Sequence, residues 1–412
     1  MSKLEELIAE LCPNGVEYKR LGEIATDIYR GSGIKREQIT STGTPCVRYG
    51  EIYTTYGIWF DECVSHTDAA TITSPKYFEY GDILFVITGE SVVDIAKSTA
   101  YVGHERCLAG GDIVVLKHEQ NPKYLSYALA TTNARKQKSS GKVKSKVVHS
   151  SVPAIKDIVI PVPPLPIQSE IVKILDNFTE LTAELTAELT ARKRQYEYYR
   201  DKLLTFDVLG GGASDAVWRT IRSVVKASCS GGTPSKGNSD YYEGGTIPWI
   251  RTQDVQFNEI HKVDTFITEA AVRETSVKWI SENCVIVAIS GASAGRCAIN
   301  KIRATTNQHC LNMEIDPSQA FYRYVYYCVC SKYQELLTKK QGARGDLNSS
   351  LILETEIPVP SLAVQQNIVA ILDRFDALCN DLTSGLPAEI EARQRQYEYY
   401  RDKLLTFKEK VC

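Results

Sequence analysis

The chain has 412 residues, 43% of them hydrophobic and 24% charged, and a formal net charge of −2. That length predicts two or three domains of ordinary globular composition. No apolar run approaches the roughly 18–20 residues needed to span a bilayer, and a charge near zero argues against wrapping nucleic acid by electrostatics alone.

In chain order, MSKLEELIAELCPNGVEY is acidic and amphipathic and lacks the basic and apolar regions of a signal peptide, so a cytoplasmic protein is expected. A first variable region follows, with β-rich runs such as DILFVIT (82–88) and DIVVLKH (112–118) bounded by turn residues. A helix is predicted from about 122. NPKY (121–124) has the strand-to-helix setting of an amino-methyltransferase loop, but Lys123 breaks that pattern. The matching DPSQAFY (316–322) shares only Asn or Asp followed by Pro, which is helix N-cap and first-turn chemistry. ARKQKSSGKVKSK (134–146) holds six basic residues and no acid, and its Gly141 and serines predict a mobile loop. Lys138, Lys142, Lys144 and Lys146 are therefore candidate phosphate contacts.

Between Ile167 and Phe206 there is no Pro or Gly, and Ile171, Ile174, Leu175, Phe178, Leu181, Leu185 and Leu189 recur at helical spacing. One helix of about 40 residues, roughly 60 Å long, is predicted. It contains TAELTAEL (182–189) and behaves as a coiled-coil spacer. A second variable region brings CVIVAIS (284–290), a predicted helix from about 317, and KKQGARG (339–345), which places Lys340 and Arg344 where the first region has its basic run. The closing segment keeps the apolar stripe but is broken at SGLPAE (384–389), where Gly385 and Pro387 interrupt a helix. A long helix and its broken relative, both amphipathic, can pack antiparallel.

The plan of the chain is a repeat. IPVPPLPIQSEIVKILDNFTEL (160–181) matches IPVPSLAVQQNIVAILDRFDAL (357–378), and RQYEYYRDKLLTF (194–206) returns letter for letter at 395–407. The offset is 197 for the first block and 201 for the second, so the second copy holds four more residues between them. The variable regions drift but stay parallel. TPCVRYGEI (44–52) aligns with IPWIRTQDV (247–255), pairing Arg48 with Arg251, and GDILFVITG (81–89) aligns with NCVIVAISG (283–291), pairing Thr88 with Ser290. Arginine is the usual bidentate reader of guanine, which makes Arg48 and Arg251 candidate DNA contacts together with Tyr49, Thr252, Gln253, Thr88 and Ser290; a structural salt bridge is the competing role. The unchanged charged and aromatic residues of the thirteen-residue repeat, represented by Tyr196, Tyr199, Arg200 and their counterparts Tyr397, Tyr400 and Arg401, are expected to dock one partner twice. Helix packing or recent duplication is the alternative.

Enzyme signatures are absent. There is no GxxxxGK[ST], HExxH or GxSxG, and ISGASAG (289–295), the nearest approach to an S-adenosylmethionine loop, runs into a predicted strand at RCAIN. The twelve cysteines include no CxxC pair and have no ligand spacing, so reduced thiols are expected and no metal site.

Variable regions alternating with IPVPPLPIQSEIVKILD, TAEL repeats and QYEYYRDKLL, with SGGTPSKGNSDYYEGGTIPWIRTQDV (230–255) opening the second region, resemble the specificity subunits of type I restriction–modification systems over essentially the whole chain. The first region departs from the pattern, with YRGSGIKR (29–36) in place of SGGTPSK. The resemblance implies an α+β architecture of two mixed α/β target-recognition domains (1–159 and 209–356), separated by an antiparallel pair of long helices (160–208 and 357–412) in a pseudo-two-fold arrangement. It implies a non-catalytic chain that binds double-stranded DNA at an asymmetric bipartite target. Its partners would be two modification subunits, which are adenine-N6 methyltransferases, and two ATP-dependent motor–nuclease restriction subunits. It binds no cofactor itself; S-adenosylmethionine, ATP and Mg belong to the partners. A protein-only coiled-coil scaffold and a self-sufficient methyltransferase or nuclease with degenerate motifs are the rival readings. The acidic balance predicts weak DNA binding by the isolated chain.

Overall fold

A computed structural model describes residues 2–140, 147–206, 216–340, 346–380 and 384–410. The chain forms two compact units, Met1–Thr186 with Glu389–Cys412, and Ala187–Ala388.

The first unit is built on a five-stranded sheet in the order Ala25–Arg30, Ile113–His118, Ile83–Val86, Ser98–Tyr101, Trp59–Phe60, with only the last pair parallel. The uninterrupted apolar runs of its central strands have a cause: both faces are covered. Successive side chains point to opposite faces, and Ile83, Phe85, Val114 and Leu116 pack under the helix Pro122–Ala130 and the start of a long helix. Leu84, Val86, Ile113 and Val115 pack on the other side with Val47, Ile52, Phe78 and Ala109, residues carried largely by a second five-stranded sheet, Ile39–Thr40, Ser65–Thr67, Thr44–Val47, Cys107–Ala109, Tyr77–Phe78.

The second unit repeats the plan. Its main sheet runs Val225–Ser230, Cys310–Ile315, Val285–Ala288, Cys297–Asn300, Asn258–Ile260, again with the last pair parallel. Val285, Val287, Leu311 and Met313 face the helix Tyr322–Ser331, while Ile286 and Ala288 face Ile250, Val255 and Ala304. A four-stranded sheet, Phe266–Ile267, Ile247–Ile250, Ala304–Thr306, Trp279–Ile280, completes it.

Each unit is clamped where the chain enters and leaves. Tyr18–Arg20 pairs antiparallel with Val159–Pro161, and Val217–Thr220 with Glu356–Val359. The IPVP exits are fixed by the same three contacts. Tyr124 and Tyr324 donate to the carbonyls of Pro161 and Pro358. Gln168 and Gln365, both fully buried, accept from the Asn121 and Phe321 N–H groups and donate to the Pro163 and Pro360 carbonyls. Tyr127 and Tyr327 donate to Asp176 and Asp373.

The helix predicted from about 167 to 206 runs over Leu165–Thr205, 41 residues without a break. Its relative is interrupted as the glycine and proline require, into Leu362–Asn380 and Leu386–Leu404. Two local expectations are corrected. Asn121 does cap its helix, accepting from the Tyr124 N–H at 3.1 Å, but Asp316 caps a separate turn through Ser318 and the following helix begins only at Tyr322, where Gln365 supplies the acceptor. The basic run predicted as a mobile loop starts as a helix, Thr132–Ser139; Lys142, Lys144 and Lys146 lie outside the described residues, as does Arg344.

The compact units do not follow the sequence blocks. The tyrosine segment at 194–206 belongs to the second unit, where Tyr196, Leu203, Leu204 and Phe206 join its core. The identical segment at 395–407 belongs to the first, where Tyr397, Leu404, Leu405 and Phe407 occupy the matching places. Tyr199 stacks on Phe375 at 5.8 Å, and Tyr400 stacks on Phe178 at 5.6 Å.

Candidate nucleic-acid interface

Each unit, taken by itself, holds an equivalent loop cluster with the same set of backbone hydrogen bonds. The Gly110 N–H donates to the Val47 carbonyl and the Asn307 N–H to the Ile250 carbonyl. The Ser32 and Gly232 N–H groups donate to the Ala109 and Thr306 carbonyls, and the Ile87 and Ile289 N–H groups to the Asp112 and His309 carbonyls. Gly110-Gly111-Asp112 and Asn307-Gln308-His309 are therefore equivalent, as are Gly33 and Thr233. The close approach needs glycine on the entering strand: a Cβ at Gly31 would lie 2.2 Å from the Gly110 carbonyl oxygen, and one at Gly231 would lie 2.0 Å from that of Thr306.

Arg48 and Arg251 follow equivalent strands beside this cluster. Glu51, buried in the first unit, accepts the Arg48 backbone N–H at 2.9 Å and its Nε–H at 3.0 Å, and is held in turn by the Ser65 hydroxyl at 2.6 Å. In the second unit Asp254 stands in place of Glu51. One methylene shorter, it takes the Arg251 backbone N–H at 2.8 Å, and Arg251 Nε is buried without a partner among the described residues. The structural salt bridge expected as the competing role is present at Arg48, whose side chain is still partly exposed. Tyr49 is exposed, Gln253 is exposed and Thr252 half-buried. Thr88 faces His149 Nδ1 at 3.3 Å, and its equivalent Ser290 donates to Asp346 at 2.6 Å. Lys340 is half-buried and lies just beyond the helix Tyr333–Thr338.

Five side-chain assignments are corrected by burial. Lys138 is enclosed, its Nζ 3.0 Å from Ser98 Oγ and over the Phe85 ring, and burial pushes its pKa down to about 7. An ammonium placed there cannot meet a phosphate. Tyr397 and Arg401 are 8% and 2% exposed, with the guanidinium paired to Asp402 at 2.8 Å and lying over the Tyr397 ring. Tyr196 and Arg200 repeat the arrangement in the second unit, with Asp201 as the acid and Arg200 over the Tyr196 ring. These four are structural. Tyr199 and Tyr400 remain partly exposed, and Tyr198 and Tyr399 more so, each beneath a lysine, Lys202 or Lys403.

Composition hid one feature. A cleft of about 510 Å³ in the first unit is lined by Gly33, Gly110 and Gly111 together with Arg36, Arg48 and Tyr49. The signal was available: carrying the 197-residue offset through AGGD (109–112) and TNQH (306–309) sets glycines against Asn307 and Gln308. In the second unit Gln308 bonds to Thr233 and to His309. Among the described residues no cluster of His, Cys, Asp and Glu is placed to hold a metal, and no helix is long and apolar enough to cross a membrane.

The chain matches the family model of the type I restriction modification DNA specificity domain twice, over residues 13–192 and 214–392. The EcoR124I/EcoR124II specificity subunit of Escherichia coli is 41% identical over 263 residues, covering 61% of this chain and 63% of that protein. A putative type I restriction enzyme specificity subunit of Haemophilus influenzae is 32% identical over 280 residues, covering 65% and 68%. A chain solved in work on complex assembly and conformational transition of the type I R-M system superposes with a TM-score of 0.68 at 15% identity, over 96% of this chain and 98% of that one. The type I S subunit from M. genitalium gives 0.53 at 15% identity, over 95% and 96%. At such identity these structures establish likeness of fold.

Proposed function

The chain belongs to the type I restriction modification DNA specificity family, and on that premise we propose that it reads an asymmetric, bipartite target in double-stranded DNA and positions two adenine-N6 methyltransferase subunits on it. In the full assembly, ATP-dependent motor–nuclease subunits join them. The chain itself is non-catalytic and binds no cofactor; S-adenosylmethionine, ATP and Mg act on the partners. The observation that carries this reading is the pair of units with one strand order and unlike loops. Equal frames present Gly110-Gly111-Asp112 in one and Asn307-Gln308-His309 in the other. Side chains that differ at matched positions select different base edges, so two half-sites of different sequence follow. The twin tyrosine segments supply two equal seats for one kind of partner.

The test is to co-express the chain with its modification partner and map methylated adenines across the host DNA. One bipartite motif with unlike halves is expected. A palindromic motif, or methylation by the purified chain given S-adenosylmethionine and DNA, would reject the proposal.

A further inference from the structure

We infer that Arg48 reads a guanine in the first half-site from within the glycine-lined cleft, and that Glu51 is the positioning residue that aims it. This rests on the DNA-reading role proposed above and goes further in naming a residue, a base and a geometry. The Arg48 guanidinium is fastened on one side only. Glu51 holds its Nε–H and backbone N–H, Ser65 holds Glu51, and the carboxylate is 7% exposed. Among the described residues, the two terminal amino groups of Arg48 have no partner. A guanidinium so placed is a preset fork, and the edge it matches in the major groove is the O6/N7 pair of guanine.

The surroundings fit that use. Gly33, Gly110 and Gly111 line the cleft beside Arg48 where the second unit carries Thr233, Asn307 and Gln308; a side chain at Gly33 would stand in open space, and the glycine there leaves the approach of a base pair clear. The acid on the cleft rim, Asp112, is already neutralised by Arg30 at 2.7 Å, and Arg36 adds a second cation to the lining. The second unit is the internal contrast. Asp254 leaves Arg251 Nε without a partner among the described residues, so that guanidinium lacks the clamp that Glu51 gives Arg48, and the assignment is confined to the first unit.

A fork of this kind also suits a phosphate, and the experiment separates the two. The chain assembled with its modification partner is titrated, by fluorescence anisotropy, against duplexes carrying its mapped motif with one base pair replaced at a time. Wild type must prefer the intact motif; if it prefers none, the DNA-reading role fails before this inference is reached. R48K is expected to lose discrimination at a single G·C pair of one half-site by about 5- to 150-fold, with every other position still discriminated. E51Q keeps an acceptor but not the two-handed carboxylate, and is expected to relax the same pair by a smaller factor. Uniform weakening on every duplex, which a phosphate contact or a misfolded unit would give, overturns the inference. Unchanged discrimination in both variants overturns it equally.

Discussion

Lys138 shows how one residue can reverse its apparent meaning between sequence and fold. It sits in the most basic run of the chain, yet its ammonium is enclosed between Ser98 and Phe85. Burial disfavours the charged form and lowers its pKa to about 7. The sign follows from proton counting. Between about 7 and the ordinary lysine value near 10.4, the unfolded chain holds a proton that the folded one does not. The unfolding free energy therefore rises with pH across that window, by up to about 1.4 kcal/mol per pH unit from this group. Below about pH 7 both states are charged and the burden is constant. Lys138→Met removes the ammonium and keeps much of the volume. The variant is expected to be more stable than wild type in urea unfolding at pH 7.5, with the gap closing as pH approaches 10. A gap that does not shrink would assign the effect to packing alone.

At the level of the element, the thirteen identical residues divide into two faces. Tyr196, Arg200, Leu203 and Leu204, with their counterparts Tyr397, Arg401, Leu404 and Leu405, are required twice because two like cores need the same plug. The unit each copy serves follows from the division of the chain: 194–206 serves the second and 395–407 the first. Tyr397→Ala is thus expected to cost about 3 kcal/mol and to lower hydrogen-exchange protection in strand Ile113–His118. Tyr196→Ala should do the same in strand Cys310–Ile315, some 110 residues further along. Tyr198→Ala, on the exposed face, should change stability by no more than about 0.5 kcal/mol. Protection lost in the sequence-adjacent strands instead would contradict the assignment.

The same segment marks the limit of what could be read from the sequence. Periodicity announced the long helix and its glycine–proline break, because both depend on local backbone chemistry. The β-rich runs 82–88 and 284–290 announced strands for the same reason, though not that both of their faces are covered. Which core Tyr196 enters is a long-range fact, and no local pattern carries it. Burial of Lys138 and the opening beside Gly110 and Gly111 likewise depend on strands distant in sequence, Ser98–Tyr101 for the first and Thr44–Val47 for the second. Arg48 was legible as a candidate because the repeat pairs it with Arg251. Its partner Glu51 was not singled out, since a single methylene against Asp254 decides what the carboxylate reaches.

For the whole molecule, the long helix Leu165–Thr205 sets the remaining expectation. Its TAEL stretch contributes little to either core: Leu185 and Leu189 are only half-buried, and no residue from 182 to 189 is fully enclosed. Side chains there are not needed to hold a unit together, which leaves length as the property the segment supplies. A four-residue unit adds about 6 Å of helix, close to two base pairs at roughly 3.4 Å each. Deleting Thr186–Leu189 is therefore expected to leave both half-sites unchanged and to shorten the preferred spacer between them by about two base pairs. Because four residues also turn the helix by slightly more than one full turn, the apolar stripe stays nearly in phase and the deletion should fold. Duplexes with graded spacers, methylated by the assembled complex, measure this directly. A deletion variant that keeps the wild-type spacer would show that the helix is not the ruler, while one that changes a half-site would show that it reaches into the reading surface itself.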